Sequence, residues 1–452
     1  MAVRGHLLSL LVLLALAAAA AAGGGGTPST GTGTLVPAAP GASLSDRARD
    51  DRHRHAYIRS TLALRRRAAE VGASAFAMPL SSGAYTGTGQ YFVRFRVGTP
   101  AQPFVLVADT GSDLTWVKCR GAAPSPADAQ PPPPARVFRP ADSKSWAPIA
   151  CASDTCTSYV PFSLANCSSP ASPCAYDYRY KDGSAARGVV GTDSATIALS
   201  SSSGGADSSR RAKLQGVVLG CTASYDGQSF QSSDGVLSLG NSNISFASRA
   251  AARFGGRFSY CLVDHLAPRN ATSFLAFGPA PGPATQRTPL LLDRRMSPFY
   301  AVTVDAVYVA GEALDIPADV WDVGSNGGAI LDSGTSLTIL ATPAYRAVVA
   351  ALSKRLAGLP RVAMDPFEYC YNWTAGAPEV PALEVHFAGS ARLEPPAKSY
   401  VIDAAPGVRC IGVQEGAWPG VSVIGNILQQ EHLWEFDLRD RWLRFKHTRC
   451  AQ

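Results

Sequence analysis

A seven-residue pattern occurs twice in this chain. Leu106-Val107-Ala108-Asp109-Thr110-Gly111-Ser112 returns in the second half as Ala329-Ile330-Leu331-Asp332-Ser333-Gly334-Thr335. Each copy is three apolar residues, then Asp, a hydroxyl residue, Gly and another hydroxyl residue. At average residue usage one copy arises by chance in about 10⁻³ of chains this long, and two in about 10⁻⁶. The chain therefore reads as two related halves, each carrying one carboxylate to the end of a buried strand. Glycine after the Asp lets another segment approach closely, because it has no Cβ. The hydroxyls supply short-range donors to the carboxylate. An Asx turn after a buried strand accounts for one such copy, but not for two matched copies in separate halves.

The rest of the sequence fits two β-rich lobes. The chain has 452 residues, too many for one core. Its apolar fraction of 46% and charged fraction of 17% place it among globular chains. Frequent Gly and Pro suit short strands joined by turns. Gln90-Tyr91-Phe92-Val93-Arg94-Phe95-Arg96-Val97 alternates with the period of a strand. Gly98-Thr99-Pro100 ends it, and Phe104-Val105-Leu106-Val107-Ala108 is a second, wholly apolar strand. Residues 121–134, with four consecutive prolines, read as a surface loop, as do the polar residues 200–209. The clearest helix opens with Thr342 as N-cap and Pro343 as first helical residue, and sets Tyr345, Val348, Val349, Leu352 and Leu356 on one face. The expected fold class is mainly β and bilobal, with a few short helices.

Residues 1–22 read as a signal peptide: Arg4, an apolar run over 7–22 broken only by Ser9, and Ala20-Ala21-Ala22 for cleavage. That run of about 16 residues is shorter than the roughly 20 needed to span a bilayer. Residues 1–78 carry nine arginines against four acids, so most of the net charge of +7 lies outside the folded body. That distribution argues against a nucleic-acid partner. Residues 46–70 hold the arginine cluster with interspersed Leu, Ile and Ala, a plausible amphipathic helix. All ten cysteines follow residue 118, and their even number suggests five disulfides. Only Cys151 and Cys156 approach metal-ligand spacing, and no His pair accompanies them, so neither a metal nor another cofactor is expected. Sequons begin at Asn166, Asn243, Asn270 and Asn372 and agree with the secretory route. The elbow Gly-x-Ser-x-Gly and the zinc motif His-Glu-x-x-His do not occur.

Over roughly residues 85–450 the chain resembles the pepsin-like aspartic proteases, and among them the plant nepenthesin-like branch. Besides the two Asp motifs, the resemblance rests on Gly98-Thr99-Pro100 and Asp113-Leu114-Thr115-Trp116. It rests also on Cys174-x-Tyr176-x-x-x-Tyr180-x-Asp182-Gly183-Ser184, Phe258-Ser259-Tyr260-Cys261-Leu262, and Ser422-Val423-Ile424-Gly425-Asn426 with Gln429-Gln430.

The resemblance implies an endopeptidase acting on polypeptides at acidic pH, with Asp109 and Asp332 sharing one proton and activating a water. It implies that Thr110 and Ser333 brace the two loops. Gly111 and Gly334 should lie against the dyad, and Ser112 and Thr335 should hydrogen-bond the outer carboxylate oxygens. Tyr180 should sit on a hairpin flap with Gly183 and Ser184, and Trp116 beside it. The disulfide pairs it suggests are Cys119–Cys221, Cys151–Cys174, Cys156–Cys167, Cys261–Cys450 and Cys370–Cys410. It further implies a propeptide over about 23–78, lobes over 79–285 and 286–452, and a monomer without stable membrane insertion after signal cleavage. The destination is extracellular or vacuolar. The propeptide arginines are expected to occupy the cleft at neutral pH and to be released by acid.

Three features depart from the family pattern. Lys181 follows the flap tyrosine where Gly is usual, Ser238 stands where the first lobe usually has Gly, and only Cys119 remains of a richer cysteine group. The rival class is a non-catalytic protein of the same fold that binds or inhibits another secreted enzyme. Such proteins typically lose a catalytic Asp or the flap Tyr, and both are present here.

Overall fold

The computed structural model describes residues 76–82, 89–124, 136–160, 169–180, 183–198, 211–227, 230–268, 271–279, 284–364, 367–374 and 378–451. The signal-peptide reading, nearly all of the propeptide reading, and Asn166, Cys167, Lys181 and Asn270 lie outside these residues.

The first lobe opens with β1 (Phe76–Ser82), β2 (Tyr91–Val97), β3 (Gln102–Asp109) and β4 (Trp116–Pro124). A hairpin of β5 (Ala175–Arg179) and β6 (Ala185–Ala198) follows, then β7 (Arg211–Asp226) and the short β8 (Gly235–Ser238). β9 (Arg257–Cys261) and β10 (Thr272–Phe277) return beneath the lobe. The second lobe contributes β11 (Ala329–Leu331), β12 (Thr338–Ala341) and β13 (Ser422–Ile424), and the chain ends with β14 (His432–Asp437) and β15 (Trp442–His447).

One 14-stranded sheet runs from Gln286–Pro289 through β15, β14, β9, β10, β1, β2, β3, β8, β4, β7 and β6. β14 thus pairs with β9 of the first lobe, and β15 with Gln286–Pro289. Alternation explains β2: Arg94 and Arg96 face solvent, while Val93, Phe95 and Val97 are buried. The end of β3 is buried on both faces, as its unbroken apolar run requires. Where the long sheet passes under the lobes, aromatic rings fill the core. Phe76 stacks on Phe277 at 4.8 Å, and Phe258 on Phe436 at 4.7 Å.

The repeat seen in the sequence is a repeat in three dimensions. β3 pairs in parallel with β8, and β4 then pairs antiparallel with that same β8. In the second lobe β11 pairs in parallel with β13, and β12 pairs antiparallel with β13. Each Asp-bearing loop therefore lies between two strands that share one central partner.

Two local readings change. The strand β4 extends to Pro124, so the first four residues assigned to a surface loop are strand. A register shift between Lys118 and Ala123 lets the chain resume pairing with β7 at Ala123 and Pro124. The helix in the second lobe is Thr342–Arg355, and it buries Tyr345, Val348, Val349 and Leu352. Thr342 is its first helical residue rather than its cap, because its hydroxyl donates to the Gly416 carbonyl at 2.8 Å. An approximate propeptide end at residue 78 falls inside β1. That strand pairs with β10 along Phe76 to Ser81 and with β2 at its end, so cutting there would strip Phe76 and Met78 from the core. Among the described residues no helix is long and apolar enough to cross a membrane.

Candidate active site

The two Asp loops meet face to face. Asp109 is the last residue of β3 and Asp332 follows β11. In each loop the glycine two residues on donates its N–H back to the carboxylate. The distances are 2.9 Å from Gly111 to Asp109 Oδ1 and 2.8 Å from Gly334 to Asp332 Oδ1. The same glycines explain how the loops come so close. A Cβ on Gly111 would lie 2.8 Å from the Asp332 carboxyl, and one on Gly334 would lie 2.2 Å from Asp109 Oδ1.

Thr110 and Ser333 tie the loops together reciprocally. The Thr110 N–H donates to Ser333 Oγ at 3.0 Å, and the Ser333 N–H donates to Thr110 Oγ1 at 2.9 Å. Each hydroxyl then donates onward to the opposite strand, Thr110 to the Leu331 carbonyl at 3.2 Å and Ser333 to the Ala108 carbonyl at 2.9 Å. All of these groups are buried, so each bond satisfies a polar atom that water cannot reach.

The surroundings of the two carboxyls are not identical. Thr335 Oγ1 donates to Asp332 Oδ2 at 2.6 Å. On the other loop the Ser112 hydroxyl is buried and its polarity favours ionised Asp109, but among the described residues it reaches no partner with regular hydrogen-bond geometry. Asp109 is 7% exposed and Asp332 9%. Burial first, and the Asp332 charge second, push the Asp109 carboxyl well above the usual carboxylate range. Behind Asp332, Gln429 Nε2 donates to the Ile424 carbonyl at 2.7 Å, and Asn426 Nδ2 to the Ser333 carbonyl at 3.0 Å. Ser238, the departure under Asp109, is accommodated. Its hydroxyl exchanges a 2.8 Å bond with Thr115 Oγ1 and accepts from the Phe246 N–H at 3.2 Å.

The β5–β6 hairpin carries Tyr180 just past its first strand. Its tip closes with the Tyr180 N–H donating to the Ser184 carbonyl at 2.9 Å and with Gly183 at φ +85°, a conformation that favours glycine. Trp116 Nε1 donates to the Tyr180 hydroxyl at 2.7 Å. Burial, and next the charge of Asp109, push the Tyr180 hydroxyl well up, so this side chain belongs to the surroundings of the dyad.

Sequence reasoning missed three residues here. The Tyr178 hydroxyl donates to Asp113 Oδ1 at 2.9 Å, and Phe230 packs edge-on against both Trp116 and Tyr180. Lys118 is buried beside them. A lysine between Val117 and Cys119 in an apolar strand, and a lone aromatic in a polar loop, were the available signals.

Among the described residues the disulfides are Cys119–Cys221, Cys156–Cys174, Cys261–Cys450 and Cys370–Cys410, with Cα separations of 5.3, 5.8, 5.3 and 4.0 Å. The nested pairing is corrected. Cys174 bonds Cys156, not Cys151, because the helix Asp154–Tyr159 turns Cys156 inward while Cys151 lies alongside Ser172. Cys151 is disulfide-bonded elsewhere. Asn243 and Asn372 are exposed.

Two mainly β lobes, each presenting an Asp-hydroxyl-Gly loop to the other, define the pepsin-like class of fold. Residues 91–279 match the family described as Xylanase inhibitor N-terminal, and residues 299–447 the family described as Xylanase inhibitor C-terminal. Aspartyl protease family protein 2 of Arabidopsis thaliana is 33% identical over 83% of this chain and 74% of its own length. Aspartic proteinase nepenthesin-2 of Nepenthes gracilis is 29% identical over 81% and 79%. The chain belongs to the pepsin-like aspartic protease family, in its nepenthesin-like branch. Among solved structures, basic 7S globulin from soybean is similar with a TM-score of 0.61 at 20% identity, covering 83% of this chain and 95% of that one. Conglutin gamma from lupine seeds gives 0.63 at 19%, covering 82% and 95%. These two likenesses speak to the fold alone.

Proposed function

We propose that this chain is an aspartic endopeptidase that hydrolyses peptide bonds in polypeptides at acidic pH, with Asp109 and Asp332 as its catalytic pair. The observation that carries this reading is the close approach of two loops that bear buried carboxyls, each loop's glycine leaving room for the other loop's Asp. Such a pair holds one proton between two oxygens that cannot both ionise easily. One carboxylate takes a proton from water, and the water oxygen attacks the peptide carbonyl carbon. The protonated partner gives its proton to the carbonyl oxygen, forming a tetrahedral diol. Collapse of the diol breaks the C–N bond: the leaving nitrogen takes the proton that the first carboxylate had accepted from water, a diol hydroxyl gives its proton to the other carboxylate, and the pair is restored.

Processing belongs to the same proposal. Residues 1–22 direct secretion to the cell exterior or a vacuole, and a propeptide is removed upstream of Phe76, so that β1 is kept. The mature enzyme acts as a monomer.

The test is a peptide-library digest by the acid-treated protein, with a pepstatin-type inhibitor and Asp332→Asn as controls. Cleavage abolished by both supports the reading. A folded, propeptide-free Asp332→Asn protein that cleaves at near wild-type rate overturns it. The family descriptions that matched are named for xylanase inhibitors, yet the rival reading, a non-catalytic inhibitor or binder of another secreted enzyme, is not favoured over the endopeptidase. Tight xylanase binding without any peptide cleavage would select it.

A further inference from the structure

Lys118 sits in the interior, 2% exposed, on β4. A buried ammonium is unfavourable unless its donors and charge are compensated. Among the described residues no carboxylate lies within ion-pairing distance of it. Asp234, the acid that acts on it through space, accepts at Oδ2 from the Val105 N–H at 2.7 Å and from Arg136 at 3.1 Å. What compensates Lys118 is the Phe230 carbonyl, to which Nζ donates at 2.8 Å, and the Tyr225 ring, whose centre lies 4.2 Å away. Burial pulls the ammonium down to about 8, so it remains charged at acidic pH.

The position of that carbonyl matters for the cleft. Lys118 and Trp116 are two residues apart on one strand and point to the same face. The Phe230 ring lies 4.9 Å from Trp116 and 5.2 Å from Tyr180, edge-on to both, and Trp116 Nε1 donates to the Tyr180 hydroxyl. Three rings therefore meet at the base of the hairpin tip, and the backbone of the loop carrying one of them is held by a lysine 112 residues away in sequence.

We propose that Lys118 is a positioning residue for substrate binding: by holding the Phe230 carbonyl it seats the Phe230 ring against Tyr180 and Trp116, and so fixes the aromatic wall under the hairpin tip. This rests on the endopeptidase reading. The wall forms before substrate arrives and does not change during the reaction, so losing it removes binding that ground state and transition state share.

Lys118→Met keeps the length of the side chain and removes the ammonium. It relieves a buried charge and should unfold at or above the wild-type temperature at pH 5. Its KM for a peptide substrate should rise about tenfold, with kcat within about twofold. Phe230→Ala should raise KM comparably, and the double variant should be no worse than either single one, because both act through one link. Hydrogen exchange of peptides covering Phe230 and Tyr180, measured in an Asp332→Asn background, gives a readout independent of turnover. Lys118→Met should speed exchange there and leave residues 329–335 unchanged.

Wild-type KM together with wild-type exchange in Lys118→Met, or additive KM effects in the double variant, would overturn the proposal while the endopeptidase reading stands. A wild-type protein that cleaves nothing, combined with faster exchange in Lys118→Met, would overturn the endopeptidase reading and keep Lys118 as the residue that positions the wall. If Lys118→Met does not fold, Phe230→Ala decides: an unchanged KM refutes the proposal.

Discussion

Replacing Ser333 by alanine tests the cross-brace directly. The Ser333 hydroxyl accepts from the Thr110 N–H at 3.0 Å and donates to the Ala108 carbonyl at 2.9 Å. Alanine leaves both backbone groups buried without that partner, at about 1–2 kcal/mol each, or about 3 kcal/mol together. Unfolding entropy is about 2.1 cal/mol/K per residue, so the roughly 380 residues from Phe76 onward give about 0.8 kcal/mol/K. A loss of 3 kcal/mol then lowers Tm by about 4 °C. The same change frees the Asp109 loop from the Asp332 loop. A shift of about 1 Å between the carboxyls should reduce kcat on the order of 100-fold. Calorimetry and single-turnover peptide cleavage measure the two effects. Ser259→Ala is the control, since that buried hydroxyl has no hydrogen-bond partner among the described residues and its loss should leave Tm within about 1 °C. If Ser333→Ala melts with the control and turns over at the wild-type rate, the brace carries neither stability nor alignment, and the reasoning fails.

Three further outcomes follow from the site. Gly334→Ala would place a methyl 2.2 Å from Asp109 Oδ1, so peptide cleavage should fall at least 100-fold while circular dichroism stays unchanged; retained cleavage refutes the close approach of the loops. Asp109 is held protonated where the unfolded chain has released that proton, so its contribution to stability falls as pH rises from about 4 through its raised folded value. Urea titrations of Asp109→Asn at several pH values should show a stability gain that grows over that window, and a pH-independent gain contradicts the assignment. Burial raises the Asp113 carboxyl to about 6, so Asp113→Asn, which keeps an acceptor for Tyr178, should stabilise by about 3 kcal/mol at pH 7 and by almost nothing at pH 3. Equal effects at the two pH values would remove ionisation as the cause.

The parts of this molecule that are legible in the sequence are those whose chemistry is local. Asp109, Thr110 and Gly111 form one turn, and their recurrence at Asp332, Ser333 and Gly334 states that the turn is used twice. The alternation of Tyr91–Val97 fixes which side chains face inward before any partner strand is known. The rest depends on which strands become neighbours. Lys118 finds Phe230, and Tyr178 finds Asp113, across 112 and 65 residues, through pairings that no window of sequence contains. The nested cysteines failed for the same reason: whether Cys174 meets Cys151 or Cys156 is decided by the facing of one six-residue helix. Gly121 and its neighbours read as loop because Gly and Pro weaken strands, yet pairing with β7 outweighs that preference.

The placement of β14 beside β9 also sets the order in which the protein can be made. Arg257–Cys261 has β10 on one edge and receives its other neighbour only from the end of the chain. Cys261 and Cys450 are 189 residues apart, and a ribosome adding about 5–20 residues per second needs roughly 10–40 s to cover that distance. Through that interval the nascent first lobe presents an open strand edge, a template for pairing with other chains. The first lobe therefore cannot finish folding as it emerges. It waits for His432–Asp437 and Cys450 to arrive.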